Sequence, residues 1–184
     1  MKKIFLAFVV AFCIQAVAKD NYTIAAFSGL SEDQTLIFQF SKARNAAGKI
    51  YRKVYSLPCK LKNLRIIAIG ASKCFKSNKD FKKFQKEYKQ SIESVIKPGK
   101  RYYVNLIDRG NDAYVCDASD PKSNLRLDLV AAGFAVPTTD DSELLLKAAE
   151  EAKEAKRGMY SAKFWDVTNC ILNGVPIPKK DEDK

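Results

Sequence analysis

The hydrophobic pattern divides the chain into short alternating runs, one long helical run and a closing helical region. Residues 22–27 and 35–40 read as strands joined by the turn Gly29-Leu30-Ser31-Glu32-Asp33; in the second, Phe38 and Phe40 alternate with Gln39 and Ser41, the signature of a half-buried strand. The small, polar stretch 41–48 predicts a hairpin loop. The chain returns over 49–57 with Ile50, Arg52 and Val54 in alternation, until Pro58 and Cys59 break it. The run Leu64-Arg65-Ile66-Ile67-Ala68-Ile69 is apolar almost without interruption, which predicts a strand buried on both faces over 64–69. Arg65 is its exception. A guanidinium keeps its charge in a protein, so Arg65 must meet a carboxylate, carbonyl oxygens or a ligand phosphate, or reach water past the strand's end.

Phe81, Phe84, Tyr88, Ile92 and Val95 then step by three and four residues, predicting an amphipathic helix that ends at Pro98-Gly99. Its other face carries Lys79, Lys82, Lys83, Lys86 and Lys89, extended upstream by Lys73 and Lys76. Residues 102–107 and 112–116 predict a hairpin around Asp108-Arg109-Gly110-Asn111. Residues 125–132 read as a short helix stopped by Gly133. Asp140, with Glu143 three residues on, predicts the cap of a helix over 141–157 that buries Leu145, Ala149, Ala152 and Ala155 and stops at Gly158. The tail 159–178 carries Trp165 and Cys170 and is expected to fold back on the domain, with 179–184 disordered. The order of elements suggests an α+β fold: a five-stranded OB-type β-barrel with about three helices packed around it.

Lys2 and Lys3 before the apolar run 4–14, followed by Ala16-Val17-Ala18, form a signal-peptide pattern over 1–18, so the mature chain is expected to begin near Lys19. Phe12 argues against a lipoprotein anchor at Cys13. No later run is long enough to cross a membrane, so the protein is expected to be exported, periplasmic or secreted, and bacterial. Removing the signal leaves Cys59, Cys74, Cys116 and Cys170, an even number that implies two disulfides with three pairings open. The chain has no histidine and no CxxC pair, which excludes Ser-His and Cys-His mechanisms and the usual zinc spacings. Net charge is +11, or +9 once Lys2 and Lys3 are removed, an excess that favours nucleic acid, anionic lipid or another polyanion as partner.

Three stretches carry a family resemblance. Asn124-Leu125-Arg126-Leu127-Asp128-Leu129-Val130-Ala131-Ala132-Gly133-Phe134-Ala135-Val136 is similar to a motif N-x-x-L-V-x-x-G-x-A-x-V. Ala148-Ala149-Glu150-Glu151-Ala152-Lys153-Glu154-Ala155-Lys156-Arg157-Gly158-Met159-Tyr160-Ser161 is similar to E-A-x-A-x-x-x-x-x-G-L-W-S, with Tyr160 in place of tryptophan. The stretch from Leu64 to Lys73 looks like V-R-L-x-G-I-D-A-P-E. Together, over roughly 22–161, they resemble the thermonuclease (staphylococcal nuclease-like) family, which implies residues 19–161 as the domain and 162–184 as an extension.

The resemblance implies calcium-assisted phosphodiester hydrolysis, with aspartates on the metal, a glutamate assisting the attacking water and two arginines on the phosphate. Carried over residue by residue, Arg65 matches the first arginine. Gly70 stands at the metal-binding aspartate, Ser72 at the proline and Lys73 at the glutamate; the family's D-G-D-T appears as Glu32-Asp33-Gln34-Thr35. Arg109 lies near the second arginine but out of register. The expectation is therefore a catalytically impaired or inactive domain that binds nucleic acid or another polyanion and needs no cofactor. Arg65, Lys73 and Arg109 would hold phosphates, Lys76, Lys79, Lys83 and Lys86 would extend the contact, and Tyr102, Tyr103 and Tyr114 could stack bases. The alternatives are an active calcium-dependent nuclease drawing acids from Glu32, Asp33 or Asp108, and an envelope scaffold whose lysines face solvent or lipid.

Overall fold

The computed structural model describes residues 22–46, 49–138 and 142–177. The expected signal over 1–18, the expected cap Asp140 and residues 179–184 lie outside them. In chain order the elements are β1 (Thr23–Leu30), β2 (Leu36–Ala46), β3 (Lys49–Leu61), β4 (Leu64–Ile66), α1 (Asn78–Val95), β5 (Arg101–Arg109), β6 (Tyr114–Ser119), α2 (Leu125–Ala131), β7 (Ala135–Pro137), α3 (Glu143–Glu154) and α4 (Trp165–Asn173).

Five strands close into a barrel in the order β1-β2-β3-β6-β5, with β5 returning to β1. Every pairing is antiparallel except β3 with β6, which run parallel. That strand order with its single parallel pair is the OB-type barrel the sequence predicts. Alternate residues fill it: Ala25 and Phe27, Leu36 and Phe38, Cys59 and Leu61, Tyr102 and Val104, and Cys116 and Ala118 are all buried. Cys59 and Cys116 are joined across the parallel pair, and Cys74 is joined to Cys170, which selects one of the three possible pairings.

Several boundaries differ from the sequence reading. The stretch 41–48, predicted as a loop, is strand over its described part, because β2 and β3 continue their ladder out to Ala46 and Lys49. Pro58 does not end β3; the strand gains its second neighbour, β6, only at Cys59, so a missing N–H is tolerated before that point. Arg109 belongs to β5 rather than to a turn. The predicted core strand 64–69 is strand only over Leu64–Ile66, where it lies outside the barrel and pairs with β7. Ile67 and Ala68 are buried beyond it, but the Ile69 N–H turns back to the Ile66 carbonyl and Gly70 adopts φ 93°, leading into a 3-10 turn over Ala71–Cys74.

The helices bury one face each. α1 buries Phe84, Tyr88 and Ile92 and is capped by Ser77, whose Oγ accepts from the Lys79 N–H at 3.0 Å. Asn124 caps α2 in the same way, and Ser142 caps α3, taking the role assigned to Asp140. α3 buries Leu145, Ala148 and Ala152, while Ala155, expected in the core, is exposed. It also ends earlier than Gly158: the Arg157 and Lys156 N–H groups return to the Ala152 and Lys153 carbonyls, with Lys156 at φ 51° as the left-handed residue. The tail does fold back, as α4, a fourth helix where about three were expected. Phe164 and Val167 join the common core, and Cys170 ties the helix to the segment before α1.

Candidate polyanion groove

Arg65 finds its partner in the chain itself. The side chain is exposed, and its Nη2 donates to the Ile171 carbonyl at 3.2 Å, in the last turn of α4. A cation there meets the negative end of the helix and satisfies a carbonyl that the helix leaves open. Arg65 therefore docks α4 onto β4. Replacing it with alanine is expected to lower stability by about 1 kcal/mol, the worth of one exposed charged hydrogen bond, read from the urea midpoint.

α4 and the segment leading into α1 enclose a groove of ≈ 870 Å³. Its cations are Lys73, Lys76, Lys83 and Lys163, and its acids are Asp80 and Glu87. Lys163 already engages Glu87 at 3.2 Å, which leaves three lysines against one carboxylate. Phe75, Phe84 and Phe164 supply the apolar lining; Phe84 lies 5.3 Å from Phe75 and 6.0 Å from Phe164, centroid to centroid. The Cys74–Cys170 disulfide lies in the wall. A rim of ammonium groups around aromatic rings suits an anion with a flat apolar part.

Of the sequence candidates, Lys73, Lys76 and Lys83 come together here. Lys79 and Lys86 are exposed on α1 but do not line the groove, and Arg65 and Arg109 do not either. Lys163, Phe75 and Phe164 were not anticipated: Lys163 and Phe164 reach the groove only because the tail folds back. Tyr102 is buried and cannot stack a base, whereas Tyr103 is exposed on the outer face of β5 and Tyr114 is half-buried.

The acids do not assemble. Asp33 accepts from the Ser31 and Thr35 hydroxyls, and the Ser31 hydrogen bond first, then the Thr35 contacts, hold its carboxyl below the usual range against its partial desolvation. Asp108 accepts from the N–H of Arg109 at 2.7 Å. Among the described residues no three Asp, Glu, Cys or His side chains gather closely enough to hold a metal ion. Elsewhere Lys100 pairs with Asp120 and lowers its carboxyl to about 2, which commits both charges to each other.

Fold and groove together define a closed OB-type barrel carrying a lysine-rimmed, aromatic-lined cleft between two helical segments. No family model matches the sequence, and no curated protein matches it. Among solved structures the chain is similar to the extended Tudor domain of Drosophila melanogaster Tudor-SN (p100), with 11% identity and a TM-score of 0.46, over 77% of this chain and 99% of that one. The strand order given above, not this likeness, defines the barrel. Among the described residues no helix is long and apolar enough to cross a membrane.

Proposed function

We propose that this is an exported, thermonuclease-like domain that binds nucleic acid and does not hydrolyse it. The groove carries the proposal, because its uncommitted lysines outnumber its uncommitted carboxylate three to one. Such a surface attracts phosphates and repels the divalent ion that hydrolysis would need.

The family motif supports the same reading: set against V-R-L-x-G-I-D-A-P-E, Gly70 stands at the metal-binding aspartate and Lys73 at the glutamate. A cation in place of a carboxylate repels a divalent ion.

The test is fluorescence anisotropy on a single-stranded oligonucleotide with purified mature protein. Four phosphate contacts would weaken affinity roughly fifty-fold between 50 and 200 mM salt, since each contact contributes about 0.7 to the logarithmic slope. Changing Lys73, Lys76 and Lys83 together to serine should reduce that slope by about 2. Affinity indifferent to salt would refute the proposal.

A further inference from the structure

Phosphates account for the rim of the groove and leave its floor unused. The rim carries Lys73, Lys76 and Lys83, all exposed. The floor is made by Phe84, Phe164 and Val167, which are buried, and the sides by Phe75, Pro176 and Ile177. α4 stops at Gly174, whose φ of 70° turns the chain, and Ile177 then packs against the common core. The Cys74–Cys170 disulfide joins the segment before α1 to α4. A ligand therefore meets walls already tied together and has little to order on binding.

Every polar side chain that lines the groove is charged: the four lysines, Asp80 and Glu87. Among the described residues lining it there is no serine, threonine, asparagine, glutamine, tyrosine or arginine to pair with the edge of a base. A base pressed onto this floor would give up water from its donors and acceptors without replacing it, whereas a hydrocarbon has none to satisfy. The ring geometry points the same way. Phe75 and Phe84 are inclined by 40° and Phe84 and Phe164 by 89°, so the rings form a faceted surface rather than a parallel-walled slot. A flat group can rest on one of these rings; a flexible chain can follow all three. Water wets such a floor poorly, and an acyl chain recovers the free energy of exposing it.

We infer that the groove is a binding site for a single-chain anionic phospholipid, with the acyl chain on Phe84, Phe164, Val167 and Ile177 and the phosphate among Lys73, Lys76 and Lys83. Its ≈ 870 Å³ lies within the range of about 300–1,000 Å³ that small-molecule pockets occupy. Lysine suits the headgroup, because an ammonium on a flexible stem meets a phosphate as a point charge without a fixed approach. The sign of the charge is also set. Lys163 is engaged by Glu87 and only Asp80 opposes the other three lysines, so the excess positive charge selects an anion over a zwitterion. This site goes beyond nucleic-acid binding and does not depend on it, since it uses the floor that a strand's phosphates do not.

Isothermal titration calorimetry of the purified protein tests it, with each amphiphile kept below its micelle concentration. The probes are lysophosphatidylglycerol in a series of chain lengths, lysophosphatidylcholine with the same chains, glycerol phosphate as the head without a chain, and thymidine monophosphate as a base in the chain's place. Affinity for lysophosphatidylglycerol should rise about three- to fourfold with each added methylene until the floor is covered, with a negative heat-capacity change. It should exceed that for lysophosphatidylcholine of equal chain by about tenfold, and Lys73→Ser/Lys76→Ser/Lys83→Ser should bring the two within about twofold. Ile177→Glu, which sets a carboxylate beside the chain, should cut lysophosphatidylglycerol binding at least about tenfold. Should that variant lose its fold by circular dichroism, the chain-length series on the native protein decides alone. Affinity independent of chain length, or glycerol phosphate, thymidine monophosphate or lysophosphatidylcholine bound as tightly as lysophosphatidylglycerol, overturns the inference. Adsorption to phosphatidylglycerol vesicles without binding of the dispersed lipid also rejects it. If an oligonucleotide binds and no lipid does, the nucleic-acid reading stands and the lipid site fails; lipid bound without nucleic acid gives the reverse.

Discussion

Gly158→Ala is expected to destabilise the protein by about 3–5 kcal/mol, with a fall of roughly 10 °C in Tm. Gly158 and Gly133 back directly onto each other. A Cβ on Gly158 would stand 2.2 Å from the Ala132 carbonyl oxygen and 2.8 Å from Gly133 C, and one on Gly133 would stand 2.4 Å from the Arg157 carbonyl oxygen. All of these neighbours are backbone, so no side chain can swing aside. Both glycines also hold positive φ, 52° and 77°, at about 1–2 kcal/mol for any other residue, and overpacking a tight contact costs about 1–3 kcal/mol more. The Met159 N–H donates to the Gly133 carbonyl at 3.0 Å, so forcing the two segments apart also breaks the bond between the α2 exit and the start of the tail. A variant melting within a degree or two of the native protein would show that this contact is not close-packed.

Breaking Cys74–Cys170, by Cys74→Ser/Cys170→Ser or by reduction, is expected to cost about 3–4 kcal/mol and to weaken oligonucleotide binding. The bridge spans 96 residues, so its loss restores much freedom to the unfolded chain. It also releases a wall of the groove. α4 would then be held by Arg65 at the Ile171 carbonyl, by Thr168, whose hydroxyl reaches the Phe164 and Met159 carbonyls, and by the burial of Phe164 and Val167. Hydrogen exchange should speed up first in α4. The Cys59–Cys116 bridge spans 57 residues inside the barrel, and its removal should lower stability without changing the groove. Unaltered binding after loss of Cys74–Cys170 would mean that α4 takes no part in the site.

The barrel was legible because its strands alternate. Phe38 and Phe40, then Tyr102 and Val104, set the period, and each strand's apolar face points one way. The outer end of β2 was not legible: residues 41–46 are small or polar, and the strand there follows from its register with β3. The stretch 64–69 misled for the opposite reason. Its apolar run, interrupted only by Arg65, records packing outside the barrel, where β7 offers it a ladder, and three residues of β7 can hold only three residues of strand. Arg65 announced itself as a charge in need of a partner, yet Ile171 lies 106 residues away and nothing local names it. The groove was half legible: Lys83 follows from helix periodicity and Lys73 and Lys76 extend its lysine face upstream, whereas Lys163 and Phe164 depend on how the tail docks.

The proposed role of this domain is to hold nucleic acid without cutting it. The test incubates the purified protein with end-labelled single-stranded DNA in calcium, and in parallel in EDTA, and resolves bound and recovered DNA on native and denaturing gels. A retarded complex is expected in both conditions, from which the DNA is recovered at full length. Shortened products that appear with calcium and vanish with EDTA would contradict it.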